Sequence, residues 1–579
     1  MTRTLLLTAL VSCTVWAQRT GHEANKKLSI DLHETADAAL QARGSDEPID
    51  VIVQFADEAS DKTLHKWNAL WGELVSESEN LPFKVLRIRP SRLEKLAADP
   101  NVVFISPDRA LGATHFPPYM YREAIGYRFA AMTVPEKPVQ TGTGIGIAVI
   151  DSGVSNDTYL KTAGNCTVSR VVYNQNFVAG ETTTDDVYGH GTHVAGIAAG
   201  TGLCLPGAWD GFNGIAPNAK IINLRALNSR GAGLDSAVIA AIDRAIAIKS
   251  TYNIKVINLS LGRVVRDSFV NDPLCQAAER AWKAGITVVV AAGNNGRDNT
   301  MGTQGYGTIS SPGNDPFVIT VGATRMVGHT GREDDTVTSY SSKGPTLRDR
   351  IVKPDLVAPG NIMYARMGVS SYLVTSYQAN TIGFYVQSSA LIPNVFLLSG
   401  TSMSTPVVAG SVALLLQKDA TLTPNQIKAR LMKTAWKGFV PTAAITDLAT
   451  SQTFNIQHDM FTVGAGHLDL KAALANTDKP SSSKLALSPR VVRLNGKTVK
   501  VETYSNVTGG TNVVWGDNVL WGDNVVWGDK VVWGDNVLWG DNVVWGSTIL
   551  AGYNVVWGDN VVWGDANPFS ESMSIKGDR

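Results

Sequence analysis

The sequence predicts an α/β domain with a mainly parallel sheet, preceded by a small α+β unit and followed by a β-rich repeat tail. Three observations predict it. Residues 145–150, 221–224, 256–259 and 287–291 are continuous apolar runs, the character of strands covered on both faces, as parallel strands are. Residues 234–248 and 272–284 lie between and beside these runs with helical spacing, and strand–helix alternation marks a parallel sheet. A hexapeptide period near the C-terminus supplies the third.

The 579 residues exceed one compact domain, and at roughly 150 residues each they suggest about three to four. Apolar residues make up 44% and charged residues 18%, enough for a large buried core. Lys plus Arg and Asp plus Glu number 51 each, so the sustained basic field of a nucleic-acid binder is missing and no nucleic-acid partner is expected. Four cysteines neither build a disulfide scaffold nor show paired metal-ligand spacing. With Cys13 in a segment expected to be removed, Cys166, Cys204 and Cys275 remain, read either as one bridge plus a buried thiol or as three core thiols.

Residues 1–17 read as an export signal: Arg3, then an apolar run from Leu5 to Ala17, too short to span a bilayer. Leu10-Val11-Ser12-Cys13 also resembles a bacterial lipoprotein processing site. The expected location is secreted or cell-envelope associated. Residues 18–48 are polar, lack a clear period and read as a spacer. The α+β unit, 49–112, combines strands at Asp50-Val51-Ile52-Val53-Gln54-Phe55, Lys84-Val85-Leu86-Arg87-Ile88 and Val102-Val103-Phe104-Ile105 with a short helix at 91–97 capped by Ser91. Pro117-Pro118 marks a boundary, and the α/β domain is assigned to 120–475.

Three distant segments carry the chemistry. Ile147-Ala148-Val149-Ile150-Asp151 is a buried strand delivering a carboxylate at its C-terminal end, where open α/β sheets place their sites. Gly189-His190-Gly191-Thr192-His193 opens a small-residue helix that can pack closely. Ser399-Gly400-Thr401-Ser402-Met403-Ser404-Thr405-Pro406 is a turn leading into an apolar helix, with Pro406 expected in the first turn, where a missing N–H costs nothing. A serine hydroxyl becomes nucleophilic when an imidazole takes its proton and a buried carboxylate fixes that imidazole. Gly142-Thr143-Gly144-Ile145-Gly146 precedes its strand instead of following it, so it is not read as a nucleotide loop.

At these residues, over roughly 120–475, the chain resembles the subtilisin-like serine proteases, in the same Asp, His, Ser order. Gly214-Ile215-Ala216-Pro217, Ile257-Asn258-Leu259-Ser260-Leu261-Gly262, Ala291-Ala292-Gly293-Asn294, Ser311-Pro312-Gly313 and Lys353-Pro354-Asp355-Leu356-Val357-Ala358-Pro359-Gly360 are similar to family segments. The resemblance implies a subtilisin-like three-layer fold, with Asp151 as orienting acid, His190 as general base, Ser402 as nucleophile and Asn294 in the oxyanion hole. It implies pocket walls at Ser260, Leu261, Gly262, Ala292 and Gly293, with Ser310 near the base, and a structural His193. No metal is implied in catalysis and no organic cofactor is required; calcium is a possible ion near Asp210-Gly211-Phe212-Asn213-Gly214. Residues 49–112 resemble the family's inhibitory propeptide, self-cleaved between Leu111 and Tyr121. The implied partners are polypeptide substrates and the chain's own propeptide. Residues 361–398 are longer than the family pattern and are expected to rim the cleft.

A linker, 476–511, leads to nine units of six residues over 512–565, Asn-Val-Val/Leu-Trp-Gly-Asp, with Trp515, Trp521, Trp527, Trp533, Trp539, Trp545, Trp557 and Trp563 in phase and Ala551 in the degenerate unit. Residues 566–579 form a tail. Three units per turn would stack into a β-solenoid, the competing reading being a loosely ordered sticky tail. The repeat's ligand is not identified by its residues. It also carries the alternative function, a surface- or carbohydrate-binding protein with an auxiliary protease domain.

Overall fold

The structure, a computed structural model, describes residues 27–40, 45–56, 72–78, 81–113, 140–205, 213–326, 332, 334–386, 390–447, 450–480, 485–493 and 499–502. The expected signal, the Asp210 loop and the Trp repeat lie outside the described residues.

Gly146–Asp151, six residues all buried, is the central strand of the main sheet. On one side it pairs in parallel with Lys220–Arg225, which pairs in parallel with Val171–Asn176. On the other lie Ile254–Leu259, Thr287–Ala291 and Ile319–Arg325, all parallel. Leu356–Pro359 adds a parallel pair and Thr336–Val337 the antiparallel one. The chain therefore runs to one side of the central strand and returns on the other, which makes the C-terminal end of Gly146–Asp151 the topological switch point. Thr401–Lys418 packs beneath the sheet and also against the helix His190–Ala199. Asp235–Ala247 and Pro273–Lys283 pack together.

The N-terminal unit is a four-stranded antiparallel sheet, ordered Glu73–Glu77, Phe83–Ile88, Ile49–Phe55, Val102–Pro107. Side-chain alternation assigns its two faces. Val51, Val53, Leu86 and Ile88 turn toward the unit's own helices, whereas Ile52, Phe83 and Val85 join the large core of the α/β domain. Two expectations are corrected here. Residues 27–40 are no spacer: Ile30–Leu40 is a helix whose Leu32 and Ala36 are buried with Leu28 in this small core. Only one apolar stripe interrupts its polar face, which hid the period. Ser91 caps no helix; its N–H and hydroxyl donate to Asp46 at 2.8 and 2.9 Å, and a 3₁₀ turn at Pro90–Arg92 leads into Leu93–Ala97.

Cys166 and Cys204 form a disulfide, and Cys275 is a buried free thiol. Residues 361–398 hold a three-stranded antiparallel sheet, Met363–Arg366, Ala390–Leu398 and Thr381–Val386, with a short helix at Tyr372–Ser376. Among the described residues no helix is long and apolar enough to cross a membrane.

Candidate active site

Asp151 ends the central strand, and its Oδ1 lies 2.7 Å from Nδ1 of His190 across 39 residues of sequence. The Ser152 N–H donates to the same oxygen at 2.7 Å, fixing the carboxylate. His190 heads its helix, and both side chains are fully buried. A nearby carboxylate holds this turn together: Asp186 accepts from the Ser152 hydroxyl at 2.8 Å, from Gly189 N–H at 2.6 Å and from Thr192 N–H at 2.7 Å. It thereby satisfies donors at the start of the His190 helix that have no intrahelical acceptor. Burial raises its pKa, against the lowering effect of those hydrogen bonds. The sequence reading missed Asp186; an Asp four residues ahead of a helix-leading His is the signal that could have found it.

Ser402 lies in the first turn of Thr401–Lys418, buried, with its hydroxyl donating to the Ser260 carbonyl at 3.0 Å. Pro406 is not in the first turn as expected but sits inside the helix. Its missing N–H would have donated to the Ser402 carbonyl four residues back. The Ser260 hydroxyl takes that place, donating to the Ser402 carbonyl at 2.8 Å. Ser260 is thus tied to Ser402 in both directions.

Asn294 is held by its oxygen. The N–H and hydroxyl of Thr401 donate to Oδ1 at 2.9 and 3.1 Å, while Nδ2 is buried with no hydrogen-bond partner among the described residues. An amide fixed at one end with its donor unspent is suited to meeting a charge that forms later. Beside it, the expected pocket residues converge. Ser310 N–H donates to the Ala292 carbonyl at 2.9 Å. Gly293 has φ +104°, and a Cβ there would lie 2.3 Å from the Ser310 hydroxyl; side chains are excluded by both conformation and space. Gly262 packs on Ser310 from the other side, with Leu261 next to it in the two-residue strand Leu261–Gly262.

His193 is turned away. Its Nε2–H donates to the Phe396 carbonyl at 3.0 Å, and burial pushes the imidazole down to about 3, so it is neutral. It anchors the 361–398 segment to the back of the His190 helix. That segment, expected at the cleft rim, buttresses the helix from behind, with Ala365 packed on Gly196.

The strand Ala110–Ala113 leaves the N-terminal unit and enters a slot between Ala232–Leu234 and Leu261–Gly262, antiparallel to both. Gly112 is opposite Ala232 and Gly262, and Ala113 is opposite Leu261. Just upstream, Asp108 accepts from the N–H of Ser236 at 2.8 Å and from its hydroxyl, at the head of Asp235–Ala247. Arg109 forms a buried ion pair with Asp267 at 2.6 Å.

A parallel sheet whose switch point carries an Asp–His pair, with a serine-headed helix packed across it, is the architecture of the subtilisin-like class of serine proteases. Residues 142–466, more than half of the sequence, match the subtilase family, Peptidase S8, and the chain belongs to that family. It is 36% identical over 293 residues to serine protease AprX of Bacillus subtilis, covering 50% of this chain and 60% of that protein's length. Subtilisin DY of Bacillus licheniformis is 33% identical over 294 residues, covering 51% and 84%. Among solved structures, fervidolysin from Fervidobacterium pennivorans superposes with a TM-score of 0.55 at 22% identity, covering 78% of this chain and 67% of that one, a likeness of fold.

Proposed function

We propose that the chain is an exported serine endopeptidase that hydrolyses polypeptides through an acyl-enzyme on Ser402. The observation that carries this reading is the buried 2.7 Å pair between Asp151 and His190 at the head of a helix packed against the Ser402 helix. With Nδ1 committed to Asp151, Nε2 of His190 is the nitrogen left to exchange protons with substrate and serine. It accepts the Ser402 proton as Oγ bonds to the substrate carbonyl carbon, and returns it to the departing amine nitrogen as the peptide bond breaks. Water, deprotonated by the same imidazole, then cleaves the ester and restores Ser402. The carbonyl oxygen becomes anionic in each addition, and Nδ2 of Asn294 with the Ser402 backbone N–H donate to it. Ser260, Leu261, Gly262, Ala292 and Gly293, with Ser310 at the base, hold the residue before the cut bond. No organic cofactor enters, and no step is routed through calcium.

The N-terminal unit, on this reading, is an inhibitory propeptide removed by the enzyme itself. Its strand Ala110–Ala113 occupies the slot as an extended substrate would, and Asp108 and Arg109 hold it there. Purified Ser402→Ala protein tests both parts: it is expected to accumulate as full-length precursor without fluorophosphonate labelling. Labelling that survives the substitution rejects Ser402 as the nucleophile, and cleavage that survives in the purified variant rejects self-processing.

A further inference from the structure

The donor of Asn294 is carried by a backbone that a residue from another loop holds on both sides. Thr401 grips Oδ1 of Asn294 with two hydrogen bonds. A grip on one atom leaves the amide free to pivot about that atom, so the direction of Nδ2 is set by the other end of the side chain, at Cα. Cα in turn is placed by the two rigid peptide planes that flank it.

Both planes are bonded to Ser342. Its N–H donates to the Gly293 carbonyl at 2.9 Å, in the plane before Asn294. Its hydroxyl oxygen accepts from the Asn295 N–H at 3.1 Å, in the plane after. The same hydroxyl rests against Gly293, where a Cβ would lie 2.8 Å from it. Ser342 is fully buried, and its own segment is anchored on either side. The Tyr340 carbonyl accepts from Gly296 N–H at 2.8 Å, and the Tyr340 phenol donates to the Gly360 carbonyl at 3.2 Å. Lys343 N–H donates to Oγ1 of Thr308 at 3.2 Å. Asn294 is thus held at its tip by the Ser402 helix and at its root by Ser342.

We propose that Ser342 is a positioning residue for the oxyanion, fixing the Asn294 backbone at the angle from which Nδ2 meets the carbonyl oxygen as that oxygen becomes anionic. It touches no substrate and acts through Asn294 alone. A donor stabilises a developing charge most when it is already in place, since a donor that wanders has to be reordered as the charge forms. Loosening the clamp therefore shows in turnover and not in ground-state binding. The inference rests on the acyl-enzyme reading of Ser402 and on the oxyanion role of Asn294.

The test compares full-chain enzymes after self-maturation, with kcat counted per Ser402 site titrated by fluorophosphonate, so that misfolded or unprocessed chains do not enter. A variant too slow to free itself is matured by immobilised wild-type enzyme that is then removed. Ser342→Ala keeps the bond to the Gly293 carbonyl and removes the acceptor for Asn295. Expected is a kcat about 10- to 100-fold lower with KM within about twofold. In an Asn294→Ala background the same substitution is expected to change kcat by less than about twofold, because no donor is left to position. Ser342→Cys, close in volume but a much weaker acceptor, is expected to fall between Ser and Ala, and it carries the comparison if the Ala variant does not fold. An unchanged kcat, a loss confined to KM, or an equal loss with and without Asn294 overturns the proposal. The underlying readings are separable. An unlabelled Ser402, or a kcat indifferent to Asn294→Ala, overturns them and this inference together; a labelled enzyme slowed by Asn294→Ala and not by Ser342→Ala overturns this one alone.

Discussion

Asn294 is gripped by one end and offered by the other, and that asymmetry makes its role measurable. Replacing it with Ala removes Nδ2 without removing anything that binds the ground-state peptide, so kcat is expected to fall about 10²- to 10³-fold with KM little changed, the size known for the corresponding donor of subtilisin. Steady-state kinetics on one peptide decides it; a loss confined to KM contradicts the assignment. His193 makes a different prediction. Its native pKa is about 3, below the ordinary value near 6.5, so between those values the unfolded chain binds a proton that the native one refuses. Stability then rises with pH through that window, by at most about 1.4 kcal/mol per pH unit for this group. His193→Gln retains a donor for the Phe396 carbonyl and removes the proton uptake. Its stability is expected to depend less steeply on pH than that of its parent in denaturant unfolding from pH 4 to 6.5, both in the Ser402→Ala background. Asp151, His190, Ser402 and Asn294 were legible because their motifs are local strings. Asp186 was not, because the donor that ties it to the Asp151 strand, the Ser152 hydroxyl, lies 34 residues away in sequence and only the fold brings it near.

At the level of elements, the Ser402 helix is instructive. Its apolar run was readable, but the position of Pro406 was misjudged because a helix start shifted by a few residues is invisible in composition. The consequence is a carbonyl at Ser402 that the helix cannot serve and that Ser260, just past the end of the strand Ile254–Leu259, serves instead. Ser260→Ala is expected to cost about 1–3 kcal/mol by leaving that buried acceptor unsatisfied. Adding Pro406→Ala supplies the helical N–H and is expected to recover most of the loss. Thermal unfolding of the single and double variants in the Ser402→Ala background reads the coupling; additive losses refute the compensation. The Ile30–Leu40 helix shows the opposite limit. Its stripe is so narrow that only the sheet it covers reveals it.

For the whole molecule, the sheet's alternation of strands and helices could be read directly, because parallel strands leave long apolar runs. Which cysteines pair could not, since 38 residues separate Cys166 from Cys204 and only the fold brings them together. Replacing both with Ser is expected to lower stability by about 2–4 kcal/mol, the usual effect of opening a closed loop of such length, measured as a fall in denaturant midpoint with a slope that stays the same or steepens as the unfolded chain expands. Among the described residues the large buried cluster forms around the strands and helices that carry Asp151, His190 and Ser402, and removal of residues 512–579 is expected to leave peptide hydrolysis intact; its loss would make the repeat part of the folding unit. The slot that receives Ala110–Ala113 also constrains what can be digested. A backbone flanked by a ladder on each edge has to be stretched out, and a helix or a strand already paired within its own sheet does not offer both edges. On the endopeptidase reading, native, tightly folded proteins are therefore expected to be poor substrates except where a segment of several residues melts or projects freely, and the rate of their destruction is then governed by how often such a stretch comes loose, a property of the victim and not of the protease.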